Sequence, residues 1–364
     1  MEYRLKEILQ DKGYIRGPFG SSLKRNELKS TGIPVYEQQH AIYATREFRY
    51  YIDEKKYSQM KRFAVKPNDL IISCSGTIGK VDLISENDPI GIISQALLIL
   101  RANADIVLPE YLFYFFKSDY GYNSIISRSM GSVQVNIAKR EVIENIKINI
   151  PSLKEQEKIV NILSNIDGKI KLNNQINNNI QNFIFKQYQN ISKKINARVK
   201  LNEITNISSG KRPKIKADNL DIPIIGASGI MSYTNGSNYN KDIIIIGRVG
   251  TLGMVQRYNY PIWASDNTIT IDTKYRNYIE NYLKTIDYTV LNRGSTQPLL
   301  TQTDIGKQNI KFDEDIIKKF ENSTQVFKEN IWNNINENTK LEQLKDTLLP
   351  KLMNGEIDLD KIEI

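Results

Sequence analysis

The chain has 364 residues, 40% of them hydrophobic and 25% charged, which excludes a disordered polymer and suits two or three domains. Lys plus Arg number 50 against 41 Asp plus Glu, a formal charge of +9, so the chain has either a polyanionic partner or simply a basic solvated surface. One cysteine, Cys74, and one histidine, His40, exclude an internal disulfide framework and a Cys/His zinc site.

The N-terminal stretch MEYRLKEILQDKG is charged and amphipathic, unlike a secretory signal. No apolar run approaches the length of a membrane span, so a soluble, cytoplasmic protein is expected. His40 lies in VYEQQHAIY, and no nucleophile-elbow sequence accompanies it. A polar loop or surface histidine is the simpler reading. Farther on, IISCSGTIGKVDLI suggests a phosphate-cradling loop. A Walker-type loop needs an earlier glycine and a Ser or Thr after the lysine, but those positions hold Cys74 and Val81. A tight turn between two strands, with glycines at positive φ, fits better. The Gly-Thr-apolar-Gly core recurs in IIIIGRVGTLGMVQR, where Met254 replaces the lysine.

That recurrence belongs to a longer repeat. GIPVYEQQHAIY matches DIPIIGASGIMSY, and NDLIISCSGTIGKV matches KDIIIIGRVGTLGMV. GIISQALLILR matches IWASDNTITID, and MGSVQVNIAKREVIENIKI matches RGSTQPLLTQTDIGKQNIKF, all in the same order. Each copy opens with short β-branched strands bounded by Gly, Asn, Asp and Pro. LPEYLFYFFKS and YIENYLKTID then read as helices.

Each copy ends in a long helix. In the first, Pro151 marks the boundary and Ser152 can cap the helix. Ile159, Leu163, Ile166, Ile170, Asn173, Ile176, Ile180, Phe183 and Tyr188 then come at coiled-coil-like steps. The second copy shows Ile316, Phe320, Phe327, Ile331, Ile335, Asn338, Leu341, Leu344 and Leu348, with Pro350 as its stop. Either stripe could lie on its own domain, but two matched stripes favour antiparallel pairing with each other. The dense asparagines read as polar helix faces, with Asn173 able to specify register in the seam.

The two-copy plan, the junction INIPSLKEQEKIVNILSNIDGKI and the ending KLEQLKDTLLPKLMNGEI resemble the specificity subunit of type I restriction–modification systems. Pro151, Leu153, Gln156, Leu163, Ile166 and Asp167 carry the likeness most specifically, together with the Gly-Ser-x-Gln pieces at 131–134 and 294–297. The second junction, IKFDEDIIKKFENSTQVF, lacks the Pro and Gln. The fold implied is α+β. Two repeated target recognition domains (mixed or antiparallel β with helices) are separated by two long antiparallel coiled-coil spacer helices. The boundaries are 1–150 for the first domain, 151–195 for the first helix, 196–313 for the second domain, and 314–364 for the second helix and tail.

Such a subunit reads a bipartite, asymmetric DNA target and docks two methyltransferase subunits and the restriction/translocase subunits. The resemblance implies no cofactor in the subunit itself, and S-adenosylmethionine, ATP and Mg for the partners. Leu153, Gln156, Ile159, Leu163 and Ile166 of the first helix, with Leu341, Leu344 and Leu348 of the second, are the candidate subunit contacts.

Chemistry of the chain's own finds little support. A base-clasping Asn/Asp-Pro-Pro-aromatic loop is absent, because none of the 11 prolines is followed by another. A nuclease could use Asp266, Asp272 and Lys274. Yet the matching residues of the first copy are Gln95, Arg101 and Asn103, so no catalytic or metal residue is assigned. DNA contacts can be proposed by residue type, since phosphates attract Arg, Lys and turn amides, and base edges pair with Arg, Lys, Gln and Asn. The first domain offers Ser21, Lys24, Arg25, Gln38, Gln39, Arg128, Ser132, Gln134 and Lys139. The second offers Ser209, Lys211, Arg212, Lys214, Arg248, Arg293, Ser295 and Gln297. The alternative is a non-catalytic scaffold whose basic domains bind RNA or protein.

Overall fold

The computed structural model describes residues 1–19, 22–127, 136–294 and 298–359. The chain forms two compact units: Met1–Lys169 with Lys340–Ile364, and Ile170–Thr339. The units do not end where the domains were drawn from sequence. Each takes in part of both long helices, Leu153–Lys194 and Glu314–Met353. The reason is packing: Ile159, Leu163 and Leu352 belong to the core of the first unit, and Ile184, Tyr188, Ile317, Phe320 and Ile331 to that of the second.

The first unit is built on a four-stranded antiparallel sheet in the order Leu9–Arg16, Leu97–Ala102, Asp69–Ser73, Val81–Leu83. The second repeats it with Asn206–Ser209, Thr268–Asp272, Ile243–Gly247 and Val255–Tyr258. The third strand in each order carries an unbroken apolar run, Leu70–Ile72 or Ile243–Ile246, because both its faces are covered. Leu70 and Ile72 enter one core and Ile71 another. Ile244 and Ile246 likewise part from Ile243 and Ile245. A three-stranded sheet flanks each, with a parallel pair between Ile33–Tyr36 and Ile92–Ile93, or between Ile222–Gly226 and Trp263–Ala264.

After this repeated strand the copies diverge. The first forms a short helix, Gln38–Tyr43, where the sequence reads as a loop, and the second a hairpin into Gly229–Thr234. Within the helix His40 is wholly buried, not on the surface. It stacks on Phe48 with ring centroids 4.6 Å apart, its Nδ1 accepts from the Glu37 N–H at 2.7 Å, and its Nε2 lies 3.1 Å from Glu47 O.

The first long helix begins as expected, with Ser152 and Glu155 capping each other: Ser152 N–H to the Glu155 carboxylate at 2.8 Å, Glu155 N–H to Ser152 Oγ at 3.3 Å. The second does not stop at Pro350, which lies inside it. Gly355 at φ 70° ends it. Glu356 N–H reaches Lys351 O at 2.9 Å and Gly355 N–H reaches Leu352 O at 3.3 Å, the paired bonds of a Schellman cap.

Within the second unit the helices pair antiparallel through a buried amide layer. Asn173 Nδ2 donates to Asn338 Oδ1 at 2.9 Å, Asn338 Nδ2 to Asn174 Oδ1 at 2.9 Å, and Asn334 Nδ2 to Asn177 Oδ1 at 2.8 Å. Asn173 and Asn338 are buried at the seam positions expected of them, and Asn177, expected on a polar face, is buried there too. Ile176 and Phe183, expected in the seam, are 38% and 44% exposed. Near 3.6 residues per turn, Asn177 and Ile184 take the inward positions instead.

Each long helix is fastened to its unit through the start of a short helix. Gln156 Oε1 accepts the Leu108 N–H at 2.8 Å, and its Nε2 donates to Ile106 O and Pro151 O, both at 3.0 Å. Lacking that glutamine, the second copy uses Glu321, whose carboxylate accepts from Asn277 N–H at 3.0 Å and Tyr278 N–H at 2.7 Å. Burial nevertheless pushes the Glu321 carboxyl up to about 7, with the two N–H groups drawing it back down. No helix among the described residues is long and apolar enough to cross a membrane.

Replacing Gln156 with Leu would leave one buried N–H and two carbonyls unpaired, at a cost on the order of 3 kcal/mol. In urea unfolding the midpoint should drop accordingly with little change of slope. Leu153→Ala, at an exposed position, should shift stability by less than about 0.5 kcal/mol.

Candidate nucleic-acid interface

Three loops converge at one end of the four-stranded sheet, and the same hydrogen bonds hold them in both units. Gly17 N–H reaches Leu97 O at 2.9 Å, as Gly210 N–H reaches Thr268 O at 3.0 Å. A Cβ at Gly17 would sit 1.9 Å from Ser94 O, and one at Gly210 2.0 Å from Ser265 O, so only glycine fits where the first loop leaves the sheet. Cys74 N–H bonds Ala96 O at 2.8 Å, matched by Arg248 N–H to Asn267 O at 2.9 Å. Ile137 N–H bonds Cys74 O at 3.0 Å, matched by Leu300 N–H to Arg248 O at 3.0 Å. The Gly-Thr segments are the expected strand-to-strand turns, with Gly76, Gly79, Gly250 and Gly253 at φ 65°, 77°, 79° and 71°.

Among the described residues proposed for DNA contact, some are available and others are already engaged. Lys24, Arg25 and Lys139 are exposed, as are Lys211, Arg212 and Lys214. Gln38 and Gln39 are not free readers. The Gln38 amide donates to Ser75 O and to Thr77 O, bracing the turn, and Gln39 Nε2 donates to Glu47 O at 3.2 Å. Ser209 is half-buried and accepts from Gln302 Nε2 at 2.6 Å. Arg293 forms a two-pronged pair with Asp304 at 2.8 and 3.0 Å. Arg293 and the Thr301 hydroxyl hold the Asp304 carboxyl down at about 2. With the guanidinium two-thirds exposed (66%), that pair is weak enough to be exchanged for phosphate. Arg248 is half-buried, and among the described residues its Nε has no partner. Ser21, Arg128, Ser132, Gln134, Ser295 and Gln297 lie outside the described residues.

Two features lie outside the residues proposed for DNA contact. Lys80 stacks its ammonium over the Tyr122 ring at 4.6 Å at the end of the first turn, and Phe19, on the first loop, is 75% exposed. Phe19 carries no polar group, so a choice by hydrogen-bonding type passes over it, whereas an aromatic face can stack.

The subunit-contact residues divide sharply. Gln156, Ile159, Leu163 and Ile166 are buried within the first unit and so are used inside the chain. Leu341 and Leu348 are half-buried, while Leu153 and Leu344 are exposed, at 37% and 46%. Asp167 is likewise engaged, accepting from Tyr114 Oη at 2.9 Å and Lys345 Nζ at 2.6 Å. The acid pair weighed for a nuclease does not converge. Asp266 precedes the strand Thr268–Asp272, whereas Asp272 ends it and pairs with Lys241 and Arg276.

Two copies of one α+β unit, each presenting the same glycine-anchored loops with different side chains, define a paired recognition scaffold. The chain belongs to the family described as "Type I restriction modification DNA specificity domain", whose model matches residues 2–182 and 194–337. It is 27% identical to the MjaIX specificity subunit of Methanocaldococcus jannaschii, over 82% of each chain. It is 34% identical to the HindI specificity subunit of Haemophilus influenzae over 25% of this chain and 20% of that one. The crystal structure of a type I restriction–modification S subunit from M. genitalium has the same fold, with a TM-score of 0.58 at 16% identity over 97% of this chain and 95% of that one. Membership removes the enzyme readings, since specificity subunits are non-catalytic recognition components.

Neutralising Lys211, Arg212 and Lys214 together should weaken binding to every duplex alike. It should also flatten the slope of log affinity against log salt by up to about 0.9 for each phosphate no longer neutralised. Fluorescence anisotropy on matched and scrambled duplexes between low and high salt reads both effects.

Proposed function

We propose that the chain reads a bipartite, asymmetric DNA target, one half with each unit, and holds methyltransferase and restriction subunits on that target. The observation that carries this reading is the loop cluster itself. Its backbone bonds repeat from Gly17 to Gly210 and from Cys74 to Arg248, yet the neighbouring elements differ, a helix at Gln38–Tyr43 against a hairpin into Gly229–Thr234. Equal frames with unequal surfaces suit two different half-sites better than one repeated site. Lys24, Arg25, Lys139, Lys211, Arg212 and Lys214 serve the phosphates. S-adenosylmethionine, ATP and Mg belong to the partner subunits, which meet the exposed Leu153 and Leu344 and the neighbouring helix surface.

Exchanging residues 196–313 for the corresponding segment of a relative should alter one half of the methylated motif and leave the other intact. Methylome sequencing of a host carrying the exchanged gene reads this directly, and a change in both halves would refute independent reading. The purified chain without partners should transfer no methyl group from S-adenosylmethionine to DNA. Scintillation counting with labelled methyl donor measures that, and incorporation by the chain alone would overturn the non-catalytic role.

A further inference from the structure

We infer that Arg248 reads a guanine in the half-site recognised by the second unit. The inference rests on the DNA-recognition reading above and adds a residue and a base to it. Arg248 opens the Gly-Thr turn of the second unit, at the place that Cys74 holds in the first. Its backbone is fixed on both sides, the N–H to Asn267 O at 2.9 Å and the carbonyl from Leu300 N–H at 3.0 Å. The side chain therefore starts from an immobile point at the end of a fully buried strand.

Among the described residues that side chain finds no hydrogen-bond partner. Its Nε is buried with no hydrogen-bond partner, and among the described residues the guanidinium has no ion pair. Three of the other arginines of the same unit are paired, Arg257 with Asp242 and Glu280, Arg276 with Asp272, and Arg293 with Asp304, while Arg198 and Arg212 are exposed. A buried donor left unpaired is a standing cost that a bound acceptor removes. Phosphate and guanine both offer the paired acceptors that a guanidinium fork matches. The rigid attachment favours guanine, because a base edge must be met in one geometry, whereas the exposed Lys211, Arg212 and Lys214 can follow a backbone. In the first unit the matching Cys74 is fully buried and donates to Ile72 O at 3.3 Å. The two half-sites therefore differ in chemistry at this place.

The test uses the complex assembled with its methyltransferase subunits and duplexes built from its methylated motif, with the second unit's half-site identified by the 196–313 exchange. That half-site should contain a G·C pair, and 7-deazaguanine there should weaken binding of the wild-type complex by roughly tenfold or more. Arg248→Gln should move preference at that position from guanine towards adenine, which glutamine pairs through N6 and N7, while the other half of the motif stays as it was. A half-site without G·C, indifference to 7-deazaguanine, or an Arg248→Gln complex weakened equally on all duplexes would overturn the inference. The deazaguanine arm needs no variant to fold. A wild-type complex indifferent to duplex sequence would instead overturn the recognition reading itself.

Discussion

The loop cluster depends on one constraint, the burial of a single strand on both faces. Asp69–Ser73 and Ile243–Gly247 each sit inside a sheet and between two apolar clusters, so neither can slide or tilt without exposing isoleucines. The residue after each strand, Cys74 or Arg248, inherits that rigidity and is tied by backbone bonds to a neighbouring loop on either side. Glycine supplies the remaining geometry, positive φ in the turn and the close approach at Gly17 and Gly210. The frame that the two units share is thus held by backbone bonds, which leaves the side chains on it able to differ.

The junctions between units and long helices follow the opposite rule, with side chains doing the fastening and the chemistry changing between copies. Gln156 closes the first junction with three neutral hydrogen bonds. The second uses a buried ionic group in which Glu280 meets Arg257 at 2.9 Å and Lys328 at 2.6 Å. Although burial pushes the Glu280 carboxyl up, Lys328, Lys284 and Arg257 hold it well below its ordinary value. Glu321, close by, accepts two backbone N–H groups and yet is pushed up towards neutrality by its own burial. The missing Pro and Gln of the second junction thus mark a different way of fixing the helix. Such buried groups are costly to break and add little net stability over an apolar equivalent, so their service here is to set where the helix sits.

The architecture was largely legible in the sequence because its signals are local. β-Branched runs, glycines at turns and the Ser152 cap each act within a few residues, and the repeat doubled most of these signals. What stayed hidden required distant partners. Gln38 has the residue type of a base reader, but its amide is spent on Ser75 O and Thr77 O. His40 has the setting of a surface residue, but Phe48 covers it. Pro350 has the look of a terminator, yet proline removes one helical bond without ending a helix whose next turn still packs, as Leu352 does. Gln156, Leu163 and Ile166 carry the family likeness and read as subunit contacts, yet all three are buried, because a motif shows that residues matter without showing which side of the surface they face.

The same reasoning explains why the amide layer of the long helices belongs inside. Leucines at Asn173, Asn177 and Asn338 would pair tightly in several registers, since apolar contacts are tolerant of a one-turn slip. Amides are not: Asn338 gives to Asn174 and takes from Asn173 at 2.9 Å each, and a slip would leave these groups buried and unpaired. The layer therefore gives up some stability for a single alignment. A recognition subunit needs that exchange more than most proteins do, because loops fixed to a fraction of a turn can read a base edge, and loops on a sliding helix cannot.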